Sequence, residues 1–415
     1  MTSDWKECIL EQISTILGDG LHGTPKYSIN GKYAFINGNN LSNGKIIIKS
    51  DTKRVDKCEY EKYKKDLNNR TLLVSINGTL GNIAEYNEEK IILGKSACYF
   101  NVKEDIDKYF IKYILLSKTF QDYLNNQATG TTIKNISLKQ MREYNFLLPP
   151  LETQQKIAKI LSVIDDKIEL NNSINNNLEQ QAQAIFKENI SKNCNNSKNG
   201  CIGDYCAIKS GFAFKGSWWQ NTGIKVIKIK TIDNDNINFN DCSYVSEDKI
   251  QYATDFIVKG GDLLIAMTGA TIGKFAIVPK VNETILVNQR VGKFFLGENP
   301  VQNLPFLYCT LKEQDVINEI INKGQGSAQP NISGSDIMNT LCYFPEKQNI
   351  VDFNNLCTPI FEKIINNKYE NYHLIKLRDT LLPKLMSGEI DVSKVEIDDI
   401  LENQSADKLL FSEDK

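Results

Sequence analysis

The sequence predicts an α+β protein in which two similar mixed α/β domains are separated by two long helices. Three observations predict this fold class: a long internal repeat, short apolar runs bounded by Gly and Asn, and two long segments with seven-residue apolar spacing. We expect the helices to pair as an antiparallel coiled coil, with the two halves of the chain related by a pseudo-two-fold axis.

The internal repeat is the most informative of these features. Leu72–Ile76 precedes a Gly-bearing turn at Asn77–Asn82, and Leu263–Met267 precedes a similar turn at Thr268–Lys274, an offset of 263 − 72 = 191 residues. Further pairs keep the same order: 35–41 with 226–232 at that offset, and 130–137 with 326–333 at an offset of 326 − 130 = 196. Because solenoid units span only about 20–50 residues, this period indicates a duplicated domain plus a connector.

Each half begins with strand-like segments that are rich in β-branched residues and bounded by turn formers. They are 45–48, 72–76 and 91–93 in the first half, and 224–229, 262–267 and 285–287 in the second. One helical stretch is predicted inside each half, at Lys108–Leu124 and at about Leu304–Ile321.

A long helix is predicted after Pro150, because apolar or amide residues recur every seven positions. The two interleaved lines are Ile157, Ile164, Asn171, Leu178 and Ile185, and Leu161, Ile168, Asn175 and Ala182. This is the a/d pattern of a coiled coil over about four heptads. Asn171 and Asn175 at such positions specify register and partner orientation at some cost in stability.

A second long helix is predicted from about Glu346 to Met386. Pro359 is expected to kink this helix or to restart it, because proline lacks an amide hydrogen. Pairing with the first helix is the natural way to bury both apolar stripes. The expected seam consists of Ile157, Leu161, Ile164, Ile168, Leu178, Ile185, Ile350, Phe361, Ile364 and Ile375.

These features divide the chain into six consecutive segments. The linker is recognised by its run of Asn, Ser and Lys, and the tail by its acidic residues. The segments are a first domain at 1–150, a first spacer helix at 151–190, a linker at 191–200, a second domain at 201–345, a second spacer helix at 346–390 and a tail at 391–415.

Composition and charge exclude several classes of protein. The net charge is −2, which argues against coating nucleic acid by bulk charge, although local lysine clusters remain compatible with DNA binding. Arginine is scarce, so phosphate contacts would fall mainly to lysine.

No apolar run of 18 residues and no signal peptide occurs, which predicts a cytoplasmic protein without a membrane partner. Ten scattered cysteines without a C-x-x-C pair, and only two histidines, argue against zinc and favour reduced thiols.

Catalytic motifs are also absent: there is no G-x-S-x-G elbow, no Walker loop and no His-rich cluster. Asp165-Asp166-Lys167 suggests a nuclease carboxylate cluster, but it falls within the heptad helix, where solvated positions explain it. The sequence therefore predicts a protein that recognises rather than reacts, with no catalytic residue and no metal site.

The repeated turns supply candidate DNA contacts, because backbone amides that follow a strand can face an anion. The candidates there are Asn77, Thr79, Thr268 and Lys274, and the alternative is a plain tight turn between strands. Two loops at matched places mix lysine with aromatic residues, and their candidates are Lys26, Tyr27, Lys215 and Trp218. The alternative for these loops is core or lid packing, which is favoured for the neighbouring Phe212 and Phe214.

Other candidates lie at matched positions that differ between the halves. Asn37 and Asn39 correspond to Lys228 and Lys230; asparagine pairs with adenine and lysine donates to guanine, whereas the alternative is a solvated strand edge. The remaining candidates are Thr132, Lys134, Arg290 and Gln329. A capping turn is the alternative for the Thr132 and Gln329 segments, and a brace for the sheet is the alternative for Arg290.

Taken in order and in duplicate, these motifs resemble one known family, the specificity subunits of type I restriction–modification systems, over about residues 1–390. The resemblance rests on the turns Gly269–Lys274 and Gly78–Asn82, on segments 130–137 and 326–333, on Leu-Pro-Pro-Leu-Glu-Thr-Gln-Gln-Lys-Ile at 148–157, and on Leu-Arg-Asp-Thr-Leu-Leu-Pro-Lys-Leu-Met-Ser-Gly-Glu-Ile at 377–390. Glu346-Lys347-Gln348 departs from the pattern, since it lacks the second Pro and the Leu.

The resemblance implies two target recognition domains, each reading one half of an asymmetric bipartite sequence in double-stranded DNA. It also implies that the helices act as spacer and as the dock for two methyltransferase subunits, which restriction subunits join. No cofactor is then expected in this chain, and S-adenosylmethionine, ATP and Mg²⁺ belong to the partner subunits. The alternatives are a specificity subunit or detached half from a related system, and a coiled-coil scaffold that joins protein partners without binding DNA.

Overall fold

The protein is described by a computed structural model that covers residues 4–42, 44–130, 133–191, 200–233, 235–325 and 330–395. The chain forms two compact units. Unit 1 comprises Met1–Asp166 and Ile375–Lys415, and unit 2 comprises Lys167–Leu374. Each long helix therefore contributes one part to each unit.

Unit 1 is built from short strands and short helices. The strands are β1 (Lys6–Ile9), β2 (Ser14–Asp19), β3 (Tyr33–Ile36), β4 (Leu41–Ser42), β5 (Lys45–Ile46), β6 (Arg54–Val55), β7 (Thr71–Ser75), β8 (Ile83–Glu85), β9 (Ile91–Leu93), β10 (Ala97–Val102) and β11 (Asn145–Leu148). The helices are α1 (Leu10–Ile13), α2 (Lys57–Tyr63), α3 (Lys108–Leu116), α4 (Lys118–Gln127) and α5 (Leu138–Arg142).

The long helix α6 (Leu151–Phe186) comes next in the chain and is followed by a π-helical turn at Lys187–Ser191. The strands of unit 2 are β12 (Gly200–Cys201), β13 (Ala207–Ser210), β14 (Trp219–Gln220), β15 (Ile224–Ile227), β16 (Ile232–Asp233), β17 (Asn236–Ile237), β18 (Ser243–Val245), β19 (Leu263–Ala266), β20 (Phe275–Ile277), β21 (Ile285–Val287), β22 (Val291–Phe295) and β23 (Leu341–Cys342). Its helices are α7 (Pro300–Lys312), α8 (Gln314–Lys323) and α9 (Gly334–Met338), and the second long helix is α10 (Lys347–Met386).

The two units share one sheet topology. Each has a four-stranded antiparallel sheet, in the order β2-β10-β7-β8 in unit 1 and β13-β22-β19-β20 in unit 2. A second sheet in each contains one parallel pair, β3 with β9 and β15 with β21. The hairpins β4–β5 and β16–β17 match as well, and among the described residues unit 2 adds β14 at a sheet edge. The structure thus confirms the prediction of two similar mixed α/β domains.

One hydrophobic core in each unit joins the four-stranded sheet to the long helices. In unit 1, Phe100 and Phe110 are fully buried with Leu161 of α6 in the same cluster. In unit 2, Phe294 is fully buried with Phe361 of α10. Because burial of such a side chain contributes about 1.5–3 kcal/mol, these clusters fix each domain on its helices.

Within unit 2, helices α6 and α10 run antiparallel and are joined by buried asparagines. Asn171 Nδ2 donates to Asn371 Oδ1 at 2.9 Å, and Asn367 Nδ2 donates to Asn175 Oδ1 at 2.8 Å. The two bonds are reciprocal under the repeat, because 367 − 171 = 196 and 371 − 175 = 196. A shifted register would leave these buried amides unsatisfied, at a cost of about 1–3 kcal/mol each. The asparagine layer therefore selects this register.

The burial of the predicted seam residues varies along the helices. Ile157, Leu161, Ile164, Ile350, Phe361 and Ile364 are buried, whereas Ile168, Leu178, Ile185 and Ile375 are partly buried. Ile157 and Leu161 pack in the core of unit 1, and Phe361 and Ile364 pack in that of unit 2. These four side chains therefore also hold the domains on the helices.

Two helix predictions differ from the structure. The stretch predicted as one helix at 108–124 is two helices, because Ser117 is extended and its side chain caps α4 by accepting from the amide of Phe120. Its counterpart is divided in the same way at Glu313, which is also extended. Helix α10 continues through Pro359, so the helix does not restart there. Pro359 and Asn355 are both exposed, so the carbonyl that loses its partner lies on the solvent side.

Candidate nucleic-acid interface

Turns that follow strands β3, β7 and β9 lie together in unit 1. Strands β3 and β9 are parallel, so the turns after Ile36 and Leu93 begin at the same edge of their sheet. The turn after β7 joins them through hydrogen bonds. We name this group turn cluster 1, which consists of residues 37–40, 77–82, 94–96, 129–130 and 133–135.

Hydrogen bonds tie the parts of turn cluster 1 to one another. The amide of Gly38 donates to Ser96 Oγ at 2.9 Å, and Ser96 Oγ donates to Asn37 Oδ1 at 3.0 Å. The amide of Gly78 donates to the carbonyl of Lys134 at 3.0 Å. Two motifs that are separate in the sequence therefore form one surface: the Gly-bearing turn and residues 133–135 of the repeated segment.

Unit 2 repeats this arrangement in turn cluster 2, which consists of residues 228–231, 268–274, 288–290 and 330–332. The amide of Gly269 donates to the carbonyl of Pro330 at 2.9 Å, which corresponds to the Gly78–Lys134 bond in unit 1. The amide of Met267 donates to the carbonyl of Arg290 at 3.0 Å. The same turns therefore meet in both repeats.

The same left-handed backbone conformation explains a glycine at the matched position of each cluster. Gly78 has φ of 76° and Gly269 has φ of 69°, and the two positions are related by 269 − 78 = 191. A Cβ atom at either position would meet no atom within 4 Å. Glycine is therefore favoured by the left-handed conformation and not by lack of space.

In turn cluster 1, the predicted side chains divide into structural and exposed ones. Asn37 accepts from Ser96, and Asn77 Nδ2 donates to Asn135 Oδ1 at 3.0 Å, so both are engaged inside the cluster. The exposed side chains of the cluster include the predicted Asn39, Thr79 and Lys134, together with Lys95, Thr129 and Ile133. The sequence prediction missed Lys95, Thr129 and Ile133. Ile133 is 60% exposed and lies beside Lys134 in the repeated segment, which was the available signal.

In turn cluster 2, the exposed predicted side chains are Lys230, Lys274 and Arg290. Lys274 Nζ lies 2.9 Å from Asp233 Oδ1, an ion pair that the sequence prediction did not include. Thr268 is partly buried. Lys230 and Arg290 are thus the cations of this cluster that the structure leaves most open to an incoming ligand.

An aromatic surface adjoins turn cluster 2. Lys228 Nζ lies 3.5 Å from the centroid of the Trp219 ring, and burial together with the neighbouring Lys230 lowers the pKa of Lys228. Lys215 and Lys249 lie over the ring of Trp218, with Nζ atoms 5.5 and 5.0 Å from its centroid. Cations held against aromatic faces in this way present a positively charged surface with ordered side chains.

Phe212 and Phe214 are consistent with packing, since their rings form an edge-to-face pair in the same surface. Lys26 and Tyr27 lie instead beside β6 and α2, where the amide of Lys26 donates to Glu59 and the Tyr27 ring packs on Phe35. The candidates Thr132 and Gln329 lie outside the described residues.

No catalytic metal centre is evident in the part of the chain that the structure describes. Within residues 4–42, 44–130, 133–191, 200–233, 235–325 and 330–395, no group of three or more His, Cys, Asp or Glu side chains could hold a metal ion. In the same residues, no helix is long and apolar enough to cross a membrane.

Comparisons with known proteins identify one family and a similar fold. The family model described as "Type I restriction modification DNA specificity domain" matches twice, over residues 2–180 and 195–379. The MjaIX specificity subunit of Methanocaldococcus jannaschii is 26% identical, covering 71% of each chain. The HindI specificity subunit of Haemophilus influenzae is 23% identical over 68% of this chain and 77% of its own. The crystal structure of an S subunit from M. genitalium is similar in fold, with a TM-score of 0.53, 20% identity and coverage of 92% of this chain and 96% of that one.

Proposed function

Because the chain belongs to the type I restriction–modification DNA specificity family, we propose that turn clusters 1 and 2 each read one half of an asymmetric bipartite DNA target. The chain is the DNA specificity subunit of such a system and is non-catalytic. The single observation that supports the proposal is that the same turns are hydrogen-bonded together in both units. A shared scaffold that carries different side chains is what two different half-sites require.

The differing side chains lie at matched positions. Asn39 in turn cluster 1 corresponds to Lys230 in turn cluster 2, since 230 − 39 = 191, and both are exposed. Asparagine forms paired hydrogen bonds with adenine in the major groove, whereas lysine donates to the acceptors of guanine. We assign Asn39 and Lys230 to base reading, and we assign Thr79, Lys134 and Arg290 to phosphate or base-edge contact.

The long helices are proposed to bind the enzymatic partners. Val351, Leu356 and Leu170 expose large apolar side chains on helix surfaces in unit 2, with exposed fractions of 47, 58 and 53%. Apolar side chains exposed along a helix favour packing by another helix. Two methyltransferase subunits are the proposed partners there, and restriction subunits join them. In this proposal S-adenosylmethionine, ATP and Mg²⁺ act in those subunits, and the complex is cytoplasmic.

The test is to sequence the methylated bases in a host that carries this chain with its methyltransferase. Wild type should produce one bipartite motif. Asn39→Ala should relax one half of that motif and Lys230→Ala the other half, with about 1–3 kcal/mol of lost discrimination at each affected base pair. If neither variant alters the motif, neither side chain reads a base. The DNA-reading proposal fails if the wild-type chain directs no methylation to any motif and also binds duplexes of different sequence with equal affinity. A protein scaffold is then favoured.

A further inference from the structure

In unit 2, a lysine of the long helix α10 binds the hairpin β16–β17, which follows the turn at 228–231 of turn cluster 2. Lys368 Nζ donates to the carbonyl of Asp235 at 2.8 Å and to Asn236 Oδ1 at 2.8 Å. Lys368 is partly buried, and burial lowers the pKa of its ammonium. Asp235 directly precedes β17 and Asn236 is the first residue of β17, so two hydrogen bonds attach the start of this strand to the helix.

The Asp235 side chain adds a second attachment. Its carboxylate accepts from Lys312 of α7, and Lys312 Nζ also lies 3.7 Å from Glu179 of α6. Asp235 itself has φ of 67°, a conformation that residues with a side chain rarely adopt, and its cost of about 1–3 kcal/mol must be offset by the surrounding contacts. Helices α6, α7 and α10 of unit 2 therefore all contribute charged groups around this hairpin.

Further hydrogen bonds connect the hairpin to the turn at 228–231. The amide of Asn238, directly after β17, donates to the carbonyl of Thr231 at 2.8 Å. Thr231 Oγ1 in turn donates to the carbonyl of Lys228 at 2.7 Å. A continuous set of short contacts thus leads from Lys368 on the helix to the turn that contains Lys228 and Lys230.

Unit 1 provides the matched comparison. Gly44 is the repeat counterpart of Asp235, since 235 − 44 = 191, and it has a similar φ of 75°. Glycine adopts this conformation without strain and offers no carboxylate. The nearby Lys112 pairs instead with Glu85 at 2.8 Å. Among the described residues, a carboxylate at this repeat position therefore attaches the hairpin to a helix in unit 2 and not in unit 1.

We propose that Lys368 and Asp235 are positioning residues for DNA specificity in turn cluster 2. They touch no base. Their role is to hold the turn at 228–231 at a fixed place on the long helix, so that Lys230 presents its ammonium to one base position only. This inference rests on the proposed function, and it concerns the second half of the target alone.

The experiment compares Lys368→Met with Lys363→Met in the complex with the methyltransferase. Methionine keeps the apolar stem of lysine and removes the ammonium, and Lys363 is an exposed lysine on the same helix. Duplexes with single substitutions in either half of the wild-type motif measure discrimination. Lys368→Met should lose at least about fivefold in discrimination in one half, which is about 1 kcal/mol, and retain it in the other. Lys368→Arg, which can still donate to both acceptors, should restore most of the loss.

Two further readouts separate positioning from other roles. The dependence of binding on salt should keep its slope in Lys368→Met, because a lost phosphate contact reduces that slope by about one. Asp235→Asn, which tolerates the positive φ, should give a smaller loss in the same half. Equal discrimination by Lys368→Met and Lys363→Met, in a complex whose wild type reads a bipartite motif, overturns the inference. A reduced salt slope also overturns it, since Lys368 would then contact DNA. Absence of any motif in the wild type contradicts the proposed function instead.

Discussion

Unit 1 and unit 2 attach their domains to the long helices at equivalent positions, but with different chemistry. In unit 1, the hydroxyl of Tyr113 donates to Asp165 Oδ2 at 2.8 Å, and Arg378 Nη1 donates to Asp165 Oδ1 at 2.9 Å. In unit 2, the ring of Tyr308 packs edge-on against Phe361 with centroids 5.2 Å apart.

The repeat relates these two attachments residue by residue. Phe361 corresponds to Asp165 because 361 − 165 = 196, and Ala182 corresponds to Arg378 because 378 − 182 = 196. A carboxylate with its cation has thus been exchanged for an aromatic ring with a methyl group. Both solutions satisfy the requirement that a buried charge be paired or be absent. The two copies therefore keep one backbone arrangement while the chemistry that stabilises it differs.

The charged version depends on mutual compensation. Burial by itself lowers the pKa of Arg378, but hydrogen bonds to Asp165 and Asp379 outweigh burial and raise it. Burial and the Asp165 carboxylate both raise the pKa of Tyr113, so the phenol remains the donor. Removal of the Asp165 carboxylate therefore takes away the acceptor of Tyr113 and leaves Arg378 with Asp379, whereas the Tyr308–Phe361 contact contains no charged pair.

The largest expected effect comes from placing the unit 1 carboxylate in unit 2. Phe361→Asp should lower the free energy of unfolding by about 3–5 kcal/mol, because the new charge is buried with no cation at Ala182. Urea denaturation measures the change, and Phe361→Leu is the control, with an expected loss of about 1–2 kcal/mol. Adding Ala182→Arg to Phe361→Asp should recover part of the loss. Equal stability of Phe361→Asp and Phe361→Leu would contradict the comparison.

The reverse test removes the carboxylate from unit 1. Asp165→Ala should cost about 2–3 kcal/mol in unfolding free energy, because Arg378 and Tyr113 lose their shared acceptor. The effect is smaller than for a fully buried pair, since the Asp165 and Arg378 side chains are 23 and 29% exposed. Asp379→Ala is the matched control, because Asp379 also binds Arg378 but is more exposed, and its loss should stay below about 1 kcal/mol. A larger loss for Asp379→Ala would be inconsistent with this account.

A third prediction concerns how the stability of unit 1 changes at acidic pH. Burial alone would raise the pKa of Glu85, but hydrogen bonds and charges from Lys112 and Lys108 outweigh it and lower the pKa. A depressed carboxyl pKa contributes stability above its unfolded-state value of 4.5, and this contribution is lost as pH falls through the folded-state pKa. Glu85→Gln should therefore lose about 1–2 kcal/mol at pH 7 and show a shallower decline below about pH 4.5 than wild type. If the stability–pH curves of Glu85→Gln and wild type are parallel, the depressed pKa of Glu85 does not contribute to acid stability.

The smallest expected effect concerns the DNA surface of unit 1. Ile133→Ala should weaken discrimination for one base pair by about 1 kcal/mol, because an exposed β-branched side chain beside Lys134 suits contact with a thymine methyl group. Ile29→Ala is the control, since Ile29 is fully exposed but lies outside turn cluster 1. Competition binding with duplexes that replace thymine by uracil measures the contact. A preference for thymine that survives in Ile133→Ala would remove this residue from the reading surface.

Much of the fold was accessible from the sequence, because its signals are local. β-branched runs gave strands such as β9 and β21 with their correct bounds, and the offset of 191 residues aligned the turns that meet in the two clusters. The asparagines in the heptad pattern predicted a specified register and partner orientation, and the Asn171–Asn371 and Asn175–Asn367 pairs form such a register in unit 2.

The interactions that the sequence did not reveal are long-range or conformational. Asp165 and Arg378 are 213 residues apart, and nothing in either neighbourhood indicates the other. The break at Ser117 follows from one extended residue inside a run that is otherwise apolar at helical spacing. The ion pair of Lys274 with Asp233 depends on how the hairpin β16–β17 folds back. Such contacts require the tertiary structure.

The most direct test of the account is site-specific photocrosslinking of the assembled complex to its own target duplex. A photoreactive residue is introduced at Thr79 in one variant and at Ala270 in another, two exposed turn positions related by 270 − 79 = 191. The account predicts crosslinks to two separate stretches of the duplex, one for each variant, with an uncrosslinked spacer between them. Crosslinks from both positions to the same stretch would contradict it.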